Sequence, residues 1–126
     1  MPSLNPQRGD IYWVRIPQSQ TVGSEQYKRR PWVIVSANAI THVGMVIGVP
    51  LSQKVAQQNR LFRILIPDST IIYDAGTTLM PGDRIALTHQ VRALSIDRLE
   101  SPRAGRLTAT ALYAVEAGLA FVLQIS

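Results

Sequence analysis

The sequence contains no cysteine and only two histidines among its 126 residues. Without cysteine, the chain cannot be a disulfide-stapled secreted module or hold a metal through thiolates, and this absence fits a reducing cytoplasm. The histidines are not spaced as metal ligands and the carboxylates are scattered, so we expect no zinc site. A glycine-rich phosphate loop and a local nucleophile signature are also absent, and we expect no cofactor.

Charged residues make up only 17% of the chain, whereas hydrophobic residues make up 46%. This composition excludes a disordered protein, and the length predicts one domain spanning residues 1–126. The net charge is nevertheless +5, and eleven of the thirteen basic residues are Arg. Because a guanidinium group matches the geometry of phosphate better than an ammonium group does, an anionic partner is the first hypothesis.

The one long segment without formal charge covers residues 31–53, which are enough to span a bilayer. Asn38, Thr41 and His42 lie at its middle, where polar groups are most costly in a membrane. We therefore interpret the segment as two buried strands joined by a polar turn, and expect no membrane association. Residues 1–10 are polar and lack the apolar core of a signal peptide, which predicts a cytoplasmic protein.

The hydrophobic pattern predicts strands along most of the chain and one helix at its end. Six or seven short strands are predicted, at residues 11–16, 32–37, 43–50, 61–66, 71–73, 85–88 and 91–94. An apolar stripe at helical spacing predicts a helix over residues 108–123, and it consists of Leu112, Val115, Leu119 and Val122. This order predicts a mainly β (α+β) fold, either a small antiparallel barrel or a sandwich with the helix packed against it.

The densest polar segment is the loop predicted over residues 18–30, which ends in Lys28, Arg29 and Arg30. A loop of this length exceeds the usual connection, and such loops are often functional. Because a buried strand follows and Pro31 stiffens the junction, Arg30 can be held in one position, as a phosphate-binding guanidinium requires. The alternative interpretation is a solvated run of charge at the end of a strand.

Two further polar segments adjoin predicted strands. Ser52 follows the strand at residues 43–50, where its hydroxyl could face a ligand, although an ordinary polar loop also explains it. His89 has an ordinary pKa that suits proton transfer near neutral pH, yet most lone histidines are structural. Alternation along a strand would place Gln90 and Arg92 together on the face opposite His89.

Taken together, these segments resemble the bacterial toxin family of MazF, PemK and Kid, the ribonuclease half of toxin–antitoxin pairs. The matching blocks occur in the family's order, and they are residues 8–12 (RGDIY), 23–26 (GSEQ), 30–36 (RPWVIVS), 49–52 (VPLS) and 90–92 (QVR) with 97–99 (DRL). The resemblance implies a strongly curved SH3-like antiparallel β-barrel with a C-terminal helix, assembled as a symmetric homodimer. It also implies metal-independent cleavage of single-stranded RNA to 2′,3′-cyclic phosphate and 5′-hydroxyl ends, and an antitoxin that covers the RNA-binding face with an extended acidic segment.

The resemblance also implies roles for individual residues. Arg30 matches the family's Arg before Pro, which acts in proton transfer or stabilises charge at the scissile phosphate, and Ser52 matches the hydroxyl residue that hydrogen-bonds this phosphate. Because guanidinium groups give up a proton only at very high pH, we favour charge stabilisation for Arg30. The other residues expected to contact RNA are Ser24, Glu25, Gln26, Tyr27, Lys28, Arg29, Lys54, Gln90 and Arg92, and the candidates for base stacking are Tyr27 and Trp13.

The chain departs from the family pattern at several positions. His89 stands where some relatives carry a carboxylate with an assigned catalytic role, so it is either the general base for the 2′-hydroxyl or a sign that this role is missing. Leu87 stands where some relatives carry Arg, and residues 68–83 do not match. Two other functions therefore stay open: a non-catalytic RNA-binding barrel with a degenerate site, and a CcdB-like gyrase-binding inhibitor acting through residues 121–126.

Overall fold

A computed structural model describes residues 4–23, 28–58 and 61–125. In this part of the chain, eight strands form one antiparallel sheet that curls into a half-barrel, and one helix packs against it. The elements are β1 (Asp10–Ile16), β2 (Lys28–Ile34), β3 (Met45–Ser52), β4 (Arg63–Ile66), β5 (Ile71–Tyr73), β6 (Arg84–Leu87), β7 (Arg92–Ser95), β8 (Leu99–Leu107) and α1 (Ala109–Leu123). The mainly β fold with a C-terminal helix, predicted from the sequence, is confirmed.

The curl of the sheet is centred on β3, because the two halves of this strand pair with different neighbours. The strand order is β4-β6-β3-β2-β1-β8-β5, and β7 also pairs with β3. Residues 45–48 pair with β7, whereas Leu51 and Ser52 pair with β6. Pro50 lies at the change of partner and has no N–H to donate to either ladder. The ends of β2, β3 and β6 therefore meet at one place.

Side chains of the central strands alternate between two hydrophobic cores. Ile11 and Val33 belong to the core that α1 covers with Val115. The neighbouring residues Tyr12 and Trp32 belong to the second core. The alternation continues in β3, where Val49 belongs to the first core and Val46 to the second. Both faces of β2 and β3 are thus buried, which explains the long uncharged segment in the sequence.

Helix α1 begins where the sequence predicts. The Thr108 Oγ1 atom accepts a hydrogen bond from the Ala111 N–H at 3.3 Å and so caps the first turn. The helix packs tightly against the sheet at Gly118, where a Cβ atom would lie only 2.8 Å from the Ile64 Cγ1 atom. No helix in the described residues is long and apolar enough to span a membrane.

Two strands differ most from the sequence prediction, and β3 lies two residues later than predicted, so that Ser52 ends this strand instead of following it. β2 begins at Lys28 and ends at Ile34, so the last residues of the predicted loop are strand and the predicted strand is shifted toward the N-terminus. The strand β8 is missing from the prediction altogether, because it contains Pro102 and several polar residues and shows no regular alternation. It forms nevertheless because it pairs with β1 on one side and β5 on the other.

A network of charged side chains joins three parts of the sheet through Arg103 of β8. Arg103 Nε donates to an Asp74 carboxylate oxygen at 2.7 Å, and its Nη1 donates to Asp10 of β1 at 3.1 Å. Asp10 is buried, and it also accepts the N–H of Gln7 at 2.8 Å. Because the buried carboxylate depends on these donors, the network holds β8 to β1 despite the irregular sequence of β8.

Replacing Arg103 with Met is expected to lower the free energy of unfolding at pH 7 by about 1–3 kcal/mol, because the Asp10 carboxylate loses a charged donor. The loss should be smaller than for a fully buried pair, since the Arg103 side chain is 36% exposed. Urea unfolding measures it, and Arg15→Met is the control because Arg15 is exposed, lies on the neighbouring strand β1 and carries the same charge. An Arg103→Met protein as stable as wild type would contradict this role.

The stability difference between wild type and Arg103→Met is also expected to depend on pH. The hydrogen bond from Arg103 holds the pKa of Asp74 below its ordinary value of 3.8. The contribution of the ionised Asp74 to stability is therefore complete above the unfolded-state pKa of this group. It is lost as the pH falls through the lower folded-state pKa. The difference in stability between wild type and Arg103→Met should shrink below about pH 4.

Candidate functional site

A pocket of about 270 Å³ opens where the ends of β2, β3 and β6 meet. Its cationic lining residues are Arg29, Arg30, Lys54 and Arg84, and they are joined by Trp13 and Ser52. No Asp or Glu is among the described residues that line it. The pocket therefore has the charge to bind an anion, at a volume near the lower end of ligand sites (about 300–1,000 Å³).

Strand pairing brings Arg30 and Ser52 together. β2 and β3 pair in the register Ile34↔Gly48, Val33↔Val49 and Trp32↔Pro50. Continued by two residues on each strand, this register places Arg30 across from Ser52 on the same face of the sheet. Two residues that lie far apart in the sequence thus share one pocket.

The pocket also collects the buried donors that have no acceptor. Among the described residues, three side-chain nitrogen atoms are buried without a hydrogen-bond partner, namely Trp13 Nε1, Arg30 Nε and Arg84 Nε. All three residues line this pocket. An unsatisfied buried donor is costly and rare. Three such donors in one pocket therefore indicate a site where a ligand supplies the acceptors.

Ser52 adds a hydroxyl group to these donors. Its side chain is buried, and its Oγ accepts a hydrogen bond from the Lys54 N–H at 3.1 Å. A hydroxyl that accepts a bond still has its own hydrogen to donate. This backbone contact holds the Oγ atom at the end of β3, where it can donate to an anion.

Trp13 and Arg29 form one wall of the pocket. The Arg29 guanidinium lies over the Trp13 ring, 4.2 Å from its centroid, and its Nε donates to Glu100 at 2.8 Å. Strand register explains the grouping, since Trp13 lies opposite Glu100 on one side and Pro31 on the other. Glu100 thus partly neutralises Arg29, whereas no ion pair among the described residues includes Arg30 or Arg84.

Sequence reasoning missed Arg84. This residue opens β6 and is only 3% exposed, and its Nη2 donates to the Met80 carbonyl at 3.0 Å. Burial lowers the pKa of Arg84 below its ordinary value. The available signal was a single Arg at the start of a short apolar strand, directly after the turn at residues 80–83.

The segment at residues 68–83, which matched no family block, positions Arg84. The Asp68 Oδ1 atom accepts hydrogen bonds from the Tyr73 hydroxyl and, at 2.8 Å, from the Gly82 N–H. Asp83 in turn accepts the Asp68 N–H at 2.8 Å. These bonds, with that of Tyr73 first, lower the pKa of Asp68 and fix the turn that leads into Arg84.

His89 lies on a short 3-10 helix, Thr88–Gln90, so the prediction that it shares a strand face is wrong. Its ring packs edge-on against Phe62, with 4.9 Å between centroids. Burial, and secondarily the charge of Arg63, lower the pKa of His89, which keeps the imidazole neutral at pH 7. His89 is not among the residues that line the pocket.

The other predicted RNA-binding residues are distributed differently. Gln90 ends the same 3-10 helix and Arg92 begins β7, opposite Gly48 of β3. Lys28 begins β2 with a positive φ of 74°. These three do not line the pocket, whereas Arg29 and Lys54 do. The predicted residues Ser24, Glu25, Gln26 and Tyr27 lie outside the described part of the chain.

No group of three or more His, Cys, Asp or Glu side chains that could hold a metal ion occurs in residues 4–23, 28–58 and 61–125. The donors of the pocket are guanidinium, indole and hydroxyl groups, which bind anions rather than cations. The chemistry available to this pocket is therefore stabilisation of negative charge.

Comparison with protein families matches residues 7–123 to PemK-like, MazF-like toxins of type II toxin–antitoxin systems. No curated protein matches the chain. The residues matched by the family include every residue that lines the pocket.

Solved structures with the same fold are similar along nearly the whole chain. MazF from Deinococcus radiodurans is 20% identical, with 97% of this chain and 99% of that chain covered and a TM-score of 0.72. A MazE-MazF structure from the same organism is 19% identical over 98% of this chain and 100% of that chain, with a TM-score of 0.69. An endoribonuclease in complex with its cognate antitoxin from a mycobacterial species is 21% identical over 97% and 96% of the two chains, with a TM-score of 0.61.

Proposed function

The chain belongs to the family of PemK-like, MazF-like toxins of type II toxin–antitoxin systems, and on this premise we propose that it is a metal-independent endoribonuclease acting on single-stranded RNA. The observation that carries the proposal is the pocket that holds Arg30 and Ser52 beside buried donors lacking an acceptor. A phosphodiester supplies the negatively charged oxygens that these donors need. Binding RNA would therefore relieve the cost of burying them.

The proposed reaction is an attack by the 2′-hydroxyl of RNA on the adjacent phosphorus. The 2′-oxygen forms a bond to phosphorus as the bond to the 5′-oxygen breaks, which gives a 2′,3′-cyclic phosphate and a 5′-hydroxyl. The proton of the 2′-hydroxyl leaves to a base, and the departing 5′-oxygen receives one. Negative charge increases on the non-bridging oxygens in the transition state, where Arg30 and Ser52 donate to them.

The strength of Arg30 and Ser52 as donors comes from their fixed positions. Both lie at the ends of paired strands, so neither needs to be ordered when RNA binds. Preorganised donors in a partly water-excluded pocket stabilise a transition state more than flexible groups in water do. This favours charge stabilisation as the role of Arg30.

His89 lies outside this pocket. Its lowered pKa gives it the neutral form that a general base requires. Its predicted role as the base for the 2′-hydroxyl therefore requires that the RNA also contacts the 3-10 helix Thr88–Gln90.

We propose as partners a cognate antitoxin and a second copy of the chain. The MazE-MazF structure supports the first, since MazF relatives are found with a MazE partner. An extended acidic segment would fit the basic pocket and the net charge of +5. A symmetric homodimer that binds RNA across its face follows from the family resemblance.

The two alternative functions explain less of the site. A gyrase-binding inhibitor that acts through residues 121–126 gives no reason for buried donors at Arg30 and Arg84. A non-catalytic RNA-binding barrel explains the charge of the pocket, and it differs from the proposal in leaving bound RNA intact. Cleavage therefore separates the two.

Replacing Arg30 with Met is expected to slow cleavage of a mixed-sequence single-stranded RNA at least about 100-fold, because one charge-stabilising donor is lost. The assay measures initial rates in excess EDTA. Arg106→Met removes the same charge from an exposed position outside the pocket and should retain the wild-type rate. If Arg30→Met has a native circular dichroism spectrum and cleaves at the wild-type rate, the proposed role of Arg30 is wrong.

Ser52→Ala is expected to reduce the cleavage rate about 100-fold, whereas Ser52→Thr should stay within about tenfold of wild type because it keeps the hydroxyl. Ser36→Ala is a matched control. Ser36 is also buried, and its Oγ accepts a backbone hydrogen bond from Ile47 of β3 at 3.0 Å, but it does not line the pocket. Equal activity of Ser52→Ala and Ser36→Ala would show that the Ser52 hydroxyl takes no part in the reaction.

A further inference from the structure

Arg84 is a buried charge that forms no ion pair with any residue the structure describes. Arg84 is only 3% exposed, and its one hydrogen bond to the described residues runs from Nη2 to the Met80 carbonyl at 3.0 Å. Its Nε is buried and lacks a partner among the described residues. A guanidinium group has five N–H donors, so most of the donor capacity of Arg84 is left over.

No carboxylate of the described residues forms an ion pair with Arg84. The ion pairs of the described chain use Arg8, Arg29 and Arg103, and none includes Arg84. Asp68 is close enough to influence Arg84 electrostatically, but its Oδ1 already accepts from the Tyr73 hydroxyl and the Gly82 N–H. A buried, uncompensated charge is strongly unfavourable, and a functional role is the usual reason to retain one.

Strand pairing places Arg84 next to the proposed phosphate site. Ile85 of β6 lies opposite Ser52 of β3, so Arg84 adjoins the end of β3 where the Ser52 hydroxyl is held. Arg84 lines the same pocket as Arg30 and Ser52. The unpartnered donors of Trp13, Arg30 and Arg84 come from three strands, β1, β2 and β6.

We propose that Arg84 is a second phosphate-binding guanidinium, which holds the same RNA phosphate as Arg30 and Ser52. This inference rests on the proposed function and extends it to a residue outside the matching sequence blocks. Donors that converge from three strands fit the tetrahedral oxygens of a phosphate. A planar carboxylate, in contrast, is satisfied by the fork of a single Arg.

A structural role and a binding role of Arg84 differ in their effect on stability. Arg103 is paired with Asp10 and Asp74, so Arg103→Met should destabilise the fold. Arg84 takes part in no ion pair within the described residues, so Arg84→Met exchanges a buried charge for an apolar side chain of similar length. We expect the midpoint of urea unfolding of Arg84→Met to equal or exceed that of wild type.

Sulfate titration tests the proposal, since sulfate has the charge and tetrahedral shape of a phosphate group. The Arg Nε–H signals of ¹⁵N-labelled protein are followed by NMR at constant ionic strength, with acetate titrated in parallel. Wild type should show saturable shifts of the Arg30 and Arg84 signals with one common Kd, and acetate should bind more weakly. Arg84→Met should weaken sulfate binding at least about tenfold, as expected for loss of a charged hydrogen-bond donor.

Two variants complete the experiment. Arg106→Met should bind sulfate as wild type does, which controls for net charge. Arg84→Lys keeps the charge but loses the fork, so it should bind with an intermediate Kd, and it replaces Arg84→Met if that variant does not fold.

An unchanged Kd in the Arg84 variants, no saturable binding by wild type, or tighter binding of acetate than of sulfate would each overturn the proposal. The titration measures binding alone and does not depend on cleavage. A chain that binds sulfate through Arg84 but leaves RNA intact would therefore contradict the ribonuclease proposal and not this one.

Discussion

The pairing register of β2 on β3 is the constraint on which the site depends. Trp32 lies opposite Pro50. The Trp32 ring also packs against Gly48, where a Cβ atom would lie 3.2 Å from the Trp32 Cε3 atom. A slip of one residue would turn every side chain of β2 to the other face of the sheet and separate Arg30 from Ser52. Packing of Trp32 in one core and Val33 in the other thus determines where Arg30 and Ser52 lie.

The buried polar groups of the described residues fall into two classes, those with hydrogen-bond partners and those without. The Asp10 carboxylate is satisfied by Arg103 and the Gln7 backbone, and this network stabilises the sheet at β8. Arg30 and Arg84 instead keep buried donors without acceptors, which reduces stability. Such a cost is typical of a binding site, where rigid donors are held ready for a ligand.

The parts of the fold that were predictable from sequence are those with strong local patterns. The helix and strand β1 agree closely with the structure. The helix has apolar residues at helical spacing, and β1 is rich in β-branched and aromatic residues between a turn signal and Pro17. β8 lacked such a signal, because its conformation is imposed by pairing with two neighbours. Arg30 and Ser52 were identified from family blocks, and the structure brings them together. Arg84 could not be found in this way, because its burial and its position beside Ser52 exist only in the folded chain.

The central claim is that this pocket cleaves RNA by attack of the 2′-hydroxyl. The most direct test is to incubate the purified chain with mixed-sequence single-stranded RNA in excess EDTA and to identify the new ends by mass spectrometry. The account predicts discrete fragments that carry a 2′,3′-cyclic phosphate on one side of the cut and a 5′-hydroxyl on the other. Intact RNA with a folded protein, or ends with a 3′-hydroxyl and a 5′-phosphate, would contradict it.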